Sequence, residues 1–211
     1  MSDSYYPILM KLDDRLCLVV GGGQVAGRKA SSLVKAGASV RIVSPEISED
    51  IKTLVKTGKV EWIKEKFNPR RLDGAFLAIA ATDNEQVNQT VCNEAVARSI
   101  LVNVVDEPDL CTFIVPSVTR RGDLIVAVST SGKSPAVAKM LRKKLESEFG
   151  EEWAVFLNIM GEARSRTINS VEDKKQREKI FNRLAGSDML ERIKRGDIKG
   201  ARSLVEEIVG R

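Results

Sequence analysis

The chain alternates between short apolar runs and longer segments whose apolar residues recur at helical spacing. Leu16-Cys17-Leu18-Val19-Val20 is an unbroken apolar run with glycines directly behind it, the pattern of a strand buried on both faces of a parallel sheet. From Val25 to Ala36 the period turns helical, with Ala26, Ala30, Leu33 and Val34 on one side and Gly37 placed to end the helix. Val40-Arg41-Ile42-Val43 reads as a second strand stopped by Ser44-Pro45, and Ile47 to Lys56 as a helix closed near Gly58. Val60–Ile63, Ala75–Ala80 and Leu101–Val105 complete a series of five strands, and a helix capped by Asp83 or Asn84 runs to Ala97 before the last of them. Strands alternating with helices at these intervals predict a parallel sheet with right-handed crossovers, a doubly wound unit of about 110 residues.

The pattern then changes. Phe113–Val118 and Asp123–Val128 flank Thr119-Arg120-Arg121-Gly122, which predicts an antiparallel hairpin turning at 119–122. Ser134-Pro135 is a helix start, a hydroxyl N-cap with proline in the first turn, and that helix should reach Phe149 while burying Val137, Met140 or Leu141, and Leu145. From Glu151 to Arg211 the sequence is charged and helix-periodic, with three or four helices expected to break near Gly161, Gly186-Ser187-Asp188 and Gly196. The fold class expected is α/β. It comprises a Rossmann-type domain over 1–112, a small α+β element over 113–150 and a helical domain over 151–211.

Composition narrows the function classes. With 43% hydrophobic and 30% charged residues the chain is ordinary for a globular protein, and no apolar run approaches the roughly 20 residues a membrane span needs. The first residues show neither a basic start nor a long apolar stretch, so a cytoplasmic location is expected. Cys17, Cys92 and Cys111 form no CxxC pair, and Cys17 lies in a strand pattern that suits a buried thiol. Histidine is absent, so acid–base work falls to carboxylates, lysines or water. Charge is divided unevenly: residues 1–113 carry 14 Lys and Arg against 15 Asp and Glu, whereas 114–211 carry 20 against 14. The second half therefore favours an anionic partner.

The candidate chemistry begins at Gly21-Gly22-Gly23-Gln24-Val25-Ala26. Gly21 follows directly on a strand, Gly23 comes two residues later, and Ala26 takes the third small position as a helix starts. In that context Gly21 makes the tight turn, Gly23 leaves room for a pyrophosphate, and the amides near Gln24 and Val25 face it at the positive end of the helix. After the second strand the chain reads Ser44-Pro45-Glu46, with Glu46 the candidate for the adenosine ribose and no Arg or Lys directly after Ser44 for a 2′-phosphate, which favours NAD over NADP, although Arg28 or Lys29 near the loop can reverse that preference. Thr82 and Asp83 follow the fourth strand, on the edge where such folds bind ligands. Asp83 can serve the cofactor or cap the next helix. Asp106 follows the fifth strand on the same edge, as a proton acceptor or as a turn residue before Pro108.

The glycine loop continued through Gly27-Arg28-Lys29, together with Ala80-Ala81-Thr82-Asp83 and Val87-Asn88, Asn103-Val104-Val105-Asp106, Phe113–Ser117 and Val126–Pro135, resembles the precorrin-2 dehydrogenase family, the siroheme-synthase type of N-terminal module. The resemblance spans roughly residues 7–150, while the tail agrees only in length and helical character. It implies NAD-dependent oxidation of precorrin-2 to sirohydrochlorin, with Asp106 at the position of the family's catalytic aspartate. It also implies a homodimer formed through the middle element, an active site in a cleft beneath the nucleotide domain and, in some members, insertion of ferrous iron as a further substrate. Precorrin-2 carries eight carboxylates. Ser129, Thr130, Ser131, Gly132 and Lys133, ahead of a helix N-terminus, are the candidate substrate contacts, with Arg120, Arg121, Lys139 and Arg142 as further cations. The loop can equally serve only to cap its helix. No metal site, nucleic acid or membrane is expected.

Two rival readings use the same residues. A nucleotide-sensing module with a basic, nucleic-acid-binding tail would share the glycine loop and the charge asymmetry, but the tail mixes Glu with Lys and Arg and carries no recognised DNA-reading motif. A short-chain reductase would need a Tyr-xxx-Lys pair, and the two tyrosines, Tyr5 and Tyr6, form none.

Overall fold

The computed structural model describes residues 5–210, which fall into two compact units divided between Val115 and Pro116. In the first, β1 (Leu16–Val20), α1 (Gln24–Lys35), β2 (Ser39–Val43), α2 (Glu49–Lys56), β3 (Val60–Ile63), β4 (Leu77–Ala80), α3 (Glu85–Ala97) and β5 (Leu101–Val104) follow one another along the chain. The five strands are all parallel, in the order β3-β2-β1-β4-β5. Because strand side chains alternate, Cys17 and Val19 enter a core shared with Ala26, Ala30 and Leu33 of α1 and Ile51 of α2. Leu18 and Val20 enter the opposite core, with Val91, Cys92 and Ala95 of α3. The apolar run that suggested a doubly buried strand is explained by these two helix layers.

Two segments outside the regular elements matter for the edge of this sheet. Thr112 Oγ1 accepts from Val102 N–H at 2.8 Å, Thr112 N–H donates to Val102 O at 2.8 Å, and Cys111 Sγ accepts from Val104 N–H at 3.2 Å. Residues 111–112 thus satisfy the outer edge of β5 without forming a strand. Phe113, expected to open the hairpin, packs instead against the core of the sheet, and its carbonyl accepts from Asn103 Nδ2 at 3.1 Å.

In the second unit β6 (Ser117–Arg121) and β7 (Leu124–Val128) pair antiparallel, with Arg121 opposite Leu124. The turn is therefore Gly122-Asp123 and not 119–122. Gly122 has φ of +54°, which a glycine supplies at the first position of a two-residue hairpin turn, and that requirement fixes the register. α4 (Pro135–Glu148) begins as expected, with Ser134 Oγ accepting from Val137 N–H at 3.3 Å. Its burial differs from the expectation: Ala138 is the residue turned inward, while Val137, Met140 and Leu141 are exposed.

The tail forms four helices among the described residues, α5 (Glu152–Ser170), α6 (Lys174–Ala185), α7 (Met189–Lys194) and α8 (Ile198–Val209). Gly161 does not break the first of them. Phe156, Ile159, Ala163 and Thr167, spaced three or four apart, bury one face of α5 in the helical core, and that packing outweighs the roughly 1 kcal/mol a mid-helix glycine costs. The interruption comes at 171–173, where Asp173 caps α6 by accepting from Gln176 N–H at 2.7 Å.

Candidate nucleotide site

The strand order reverses between β1 and β4, and the carboxyl ends of those strands open the crevice where sheets of this kind bind ligands. Gly21, at the end of β1, has φ of +121°, and a Cβ there would overlap the Ala81 carbonyl at the end of β4. Gly22 is equally confined, since a Cβ would overlap the Glu46 carbonyl, and Ser48 N–H donates to Gly22 O at 2.8 Å. Gly23 differs from both. A Cβ there would meet nothing within 4 Å, so the space above it is open.

α1 starts at that opening. Its first backbone bond runs from Gly27 N–H to Gly23 O at 3.0 Å, which leaves the amides of Gln24, Val25 and Ala26 ahead of the ladder, at the positive end of the helix. No acidic side chain stands in the first turn to compete for them. Ala26 is buried against the sheet, and Gly27 lies close enough to α2 that a Cβ would sit 3.3 Å from Ile51 Cγ1. Small residues bring the helix down onto the sheet, and the helix brings its amides to the crevice. The residues present fit a dinucleotide pyrophosphate.

The flanking loops are ordered by their own bonds. Ser44 O accepts from Trp62 Nε1 at 3.0 Å, which fixes the exit of β2 and with it the exposed Pro45 and Glu46. After β4, Thr82 Oγ1 donates to Asn88 Oδ1 at 2.8 Å, and Asn88 Nδ2 donates back to Thr82 O at 3.0 Å. Asn84 is the cap of α3, accepting from Val87 N–H at 3.0 Å, so Asp83 stands outside the helix and exposed. Asn88 was read only as part of a motif. Its role in the loop depends on a bond six residues back along the chain, which spacing alone does not reveal.

Asp106 lies on the same edge, two residues beyond β5. Its φ is +64°, in the left-handed region, within a turn closed by Glu107 N–H to Val104 O at 3.3 Å. The carboxylate is exposed within the chain. Beneath it Cys111 Sγ accepts from Asn103 Nδ2 at 3.4 Å and lies 3.3 Å from Glu107 O, and burial raises the thiol pKa. Lys29, close to the glycine loop in sequence, is half-buried on α1. Loss of hydration lowers its pKa, opposed by Cys111 and Asp106.

The loop Ser129–Lys133 belongs to the second unit. Thr130 Oγ1 accepts from Ser134 N–H and donates to Ser134 O, each at 3.1 Å, and Ser131 N–H donates to Ser129 Oγ at 3.0 Å. Ser131 and Gly132 both take positive φ, which leaves Ser129, Ser131, Gly132 and Lys133 exposed at the loop's tip. Of the basic residues, Arg121 lies 3.2 Å from Glu151 and Arg142 pairs with Glu146, while Arg120, Lys133 and Lys139 reach solvent.

Residues 8–117 match the family described as "Putative NAD(P)-binding", and 121–148 the one described as "Sirohaem biosynthesis protein central". A siroheme synthase of Methylobacillus flagellatus is 42% identical over 207 residues, which are 96% of this chain and 44% of that protein. One from Photorhabdus laumondii is 38% identical over 203 residues, 96% of this chain and 43% of the relative. The chain thus spans less than half the length of these curated relatives. The solved structure of "SirC, precorrin-2 dehydrogenase" superposes with a TM-score of 0.82 at 23% identity, over 97% of this chain and 98% of the other, which establishes the shared fold.

Proposed function

The chain belongs to the NAD(P)-binding family that its residues 8–117 match, and from that premise we propose that it oxidises precorrin-2 to sirohydrochlorin with NAD. The observation that carries the reading is the juxtaposition at one sheet edge of three amides that make no bond among the described residues, the open space over Gly23 and the Asp106 carboxylate. The amides of Gln24, Val25 and Ala26 hold the pyrophosphate, and the Pro45-Glu46 loop takes the adenosine ribose through the Glu46 carboxylate. Thr82 and Asp83 border the cofactor. Bound NAD supplies the hydride acceptor. Asp106 accepts the proton that leaves the macrocycle as the hydride departs, so that two electrons and two hydrogens leave precorrin-2 together. The exposed tip Ser129-Thr130-Ser131-Gly132-Lys133 receives a carboxylate arm of the substrate.

The finer parts of the proposal rest on the second unit. Val118 on β6 and Val137, Met140 and Leu141 on α4 leave apolar side chains in water, and a second copy of the chain is the partner that covers them. Ferrous iron, in this reading, is a further substrate held by the ring nitrogens of sirohydrochlorin. No helix among the described residues is long and apolar enough to cross a membrane, and the reaction proposed is that of a cytoplasmic enzyme.

The test is anaerobic turnover of precorrin-2 with NAD, followed by absorbance. Asp106→Asn should reduce kcat at least 100-fold while leaving the NAD dissociation constant within about twofold, because the pyrophosphate is bound by backbone amides that the substitution does not alter. A variant with wild-type kcat would remove Asp106 as the base, and a wild-type protein without turnover would remove the reaction.

A further inference from the structure

Helix α5 carries apolar residues on two adjacent faces, and the second is covered only in part. Phe156, Ile159, Ala163 and Thr167 are buried along the first. Leu157, Met160, Gly161 and Arg164, at helical spacing on the next face, line an open groove of about 310 Å³. Phe181 of α6 forms one wall. The hairpin turn closes the end nearest the start of α5: a Cβ on Gly122 would lie 2.9 Å from Ala154 Cβ, and Asp123 beside it lines the groove. Leu157, Met160 and Phe181 are half-buried, whereas Gly161, Arg164 and Asp123 are exposed.

Packing accounts for neither the floor of this groove nor the charge at its far end. A Cβ at Gly161 would meet nothing within 4 Å, so no neighbour requires the residue that most weakens a helix short of proline. The other charges nearby on α5 are paired across to α8, Glu162 with Arg202 at 2.6 Å and Arg166 with Glu206 at 2.6 Å. Arg164 makes no ion pair or hydrogen bond among the described residues, and its guanidinium carbon lies 5.2 Å from the centre of the Phe181 ring. Stacking of this kind fixes the plane of the guanidinium and leaves its N–H fork free at the edge, where a carboxylate binds in bidentate fashion.

We propose that the groove binds one edge of a carboxylate-bearing tetrapyrrole: a pyrrole ring lies over Met160 and Gly161, between Leu157 and Phe181, and Arg164 takes its acidic arm. The choice of ligand rests on the proposed reading of precorrin-2 as the substrate. The volume is at the lower end of the roughly 300–1,000 Å³ of ligand clefts, which fits one ring with its arm while the rest of the macrocycle stays outside the open side. Apolar walls beside a single free cation select a molecule that is apolar on its faces and anionic at its rim. Asp123 disfavours a second acidic arm at the opposite end, and so sets the direction in which the ring enters.

The probe is uroporphyrin, an aromatic octacarboxylate that the proposed dehydrogenation does not consume. With methionine methyl groups labelled by carbon-13, and Met160 assigned by loss of its signal in Met160→Leu, uroporphyrin should move the Met160 signal upfield through its ring current until the site saturates. Arg164→Gln should weaken the affinity read from that signal at least tenfold, because a charge-assisted contact is lost, and Arg164→Lys should recover part of it. Gly161→Leu should abolish the shift without lowering the thermal midpoint, since leucine is the better helix former and fills open space. Octanoate, an apolar carboxylate without a ring, should not compete at equal concentration. A Met160 signal unmoved by uroporphyrin, an affinity unchanged in Arg164→Gln, or equal affinity for octanoate overturns the inference. So does a Gly161→Leu protein that sediments as a monomer where the wild type is a dimer, because the groove would then belong to a contact between copies. The shift is independent of turnover: a protein that shows it but does not oxidise precorrin-2 loses only the reaction, and one that turns over without it loses only the groove.

Discussion

The glycine loop permits a test that separates folding from binding, because its glycines are confined for different reasons. Gly23→Ala places a methyl group where nothing lies within 4 Å, at a residue with φ of −78° and ψ of −175°, an extended conformation that alanine adopts readily. The expected stability loss is that of a poorer helix N-cap, at most about 1 kcal/mol. The same methyl occupies the space over the amides of Gln24, Val25 and Ala26. A hydrogen bond from an amide to a charged group contributes about 1.5–3 kcal/mol, so displacing the pyrophosphate from one such contact weakens NAD roughly 10- to 100-fold. Gly21→Ala is the contrasting variant. At φ of +121°, with its Cβ overlapping the Ala81 carbonyl, it should lose stability by several kcal/mol, through left-handed strain and the forced separation of β1 from β4. Calorimetric NAD titration and thermal unfolding of both variants give the comparison. A Gly23→Ala protein that folds normally and binds NAD within twofold of wild type would refute the placement of the pyrophosphate.

Three further outcomes follow from the packing. Cys111→Val removes the acceptor for the buried Val104 N–H and for Asn103 Nδ2, so unfolding measurements should show a loss of about 1–3 kcal/mol, with Cys111→Ser intermediate. Stability should also fall at alkaline pH. Burial raises the Cys17 thiol to about 11 from 9.0, so the folded chain keeps a proton that the unfolded chain releases, and stability present below pH 9 declines through pH 11 by on the order of 2–3 kcal/mol. Cys92 and Cys111, also raised, act in the same direction, while Lys29, lowered, partly opposes them; Cys17→Ala should flatten the decline measured by denaturant titration. Met140→Asp places a charge on the exposed apolar face of α4 and should shift sedimentation from dimer to monomer without changing the thermal midpoint of the monomeric chain. A wild-type protein that sediments as a monomer contradicts the proposed self-association.

Local patterns are legible in this sequence where one rule decides the outcome. The apolar run at 16–20, the glycines behind it and the alanines of α1 all state the same strand–loop–helix, and the structure contains it within a residue or two. Ser134 as a cap with Pro135 behind it was equally plain, because the cap bond spans only three residues. The errors occur where a distant partner decides. Phe113 has strand propensity but is taken by the sheet core, Gly161 is overruled by the apolar stripe of α5, and the turn at 122–123 depends on the sign of one glycine φ. Met140 and Leu141 illustrate a different limit: hydrophobic periodicity reports a face that seeks cover, and it does not say whether the cover comes from the same chain. At the candidate site the glycine loop is legible as a motif, whereas the bonds that tie Asn88 to Thr82 emerge only once the elements are brought together.

Two features that folding does not require lie at the crevice. Gly21 and Gly22 are demanded by close approach of the backbone, and a sequence selected for stability alone would keep both. Nothing in the packing demands Gly23, where a serine or aspartate would cap α1 better, and no cap bond is made there. The same holds for Asp106, a non-glycine residue in the left-handed region. Both lie on the carboxyl edge of the one parallel sheet, whereas the other non-glycine residues in the left-handed region, Asp14, Ser99 and Ser131, lie elsewhere. An open helix start and a carboxylate on one edge of one sheet are what a pyrophosphate and a proton transfer would each require, and their meeting there supports the proposal that they serve a single function.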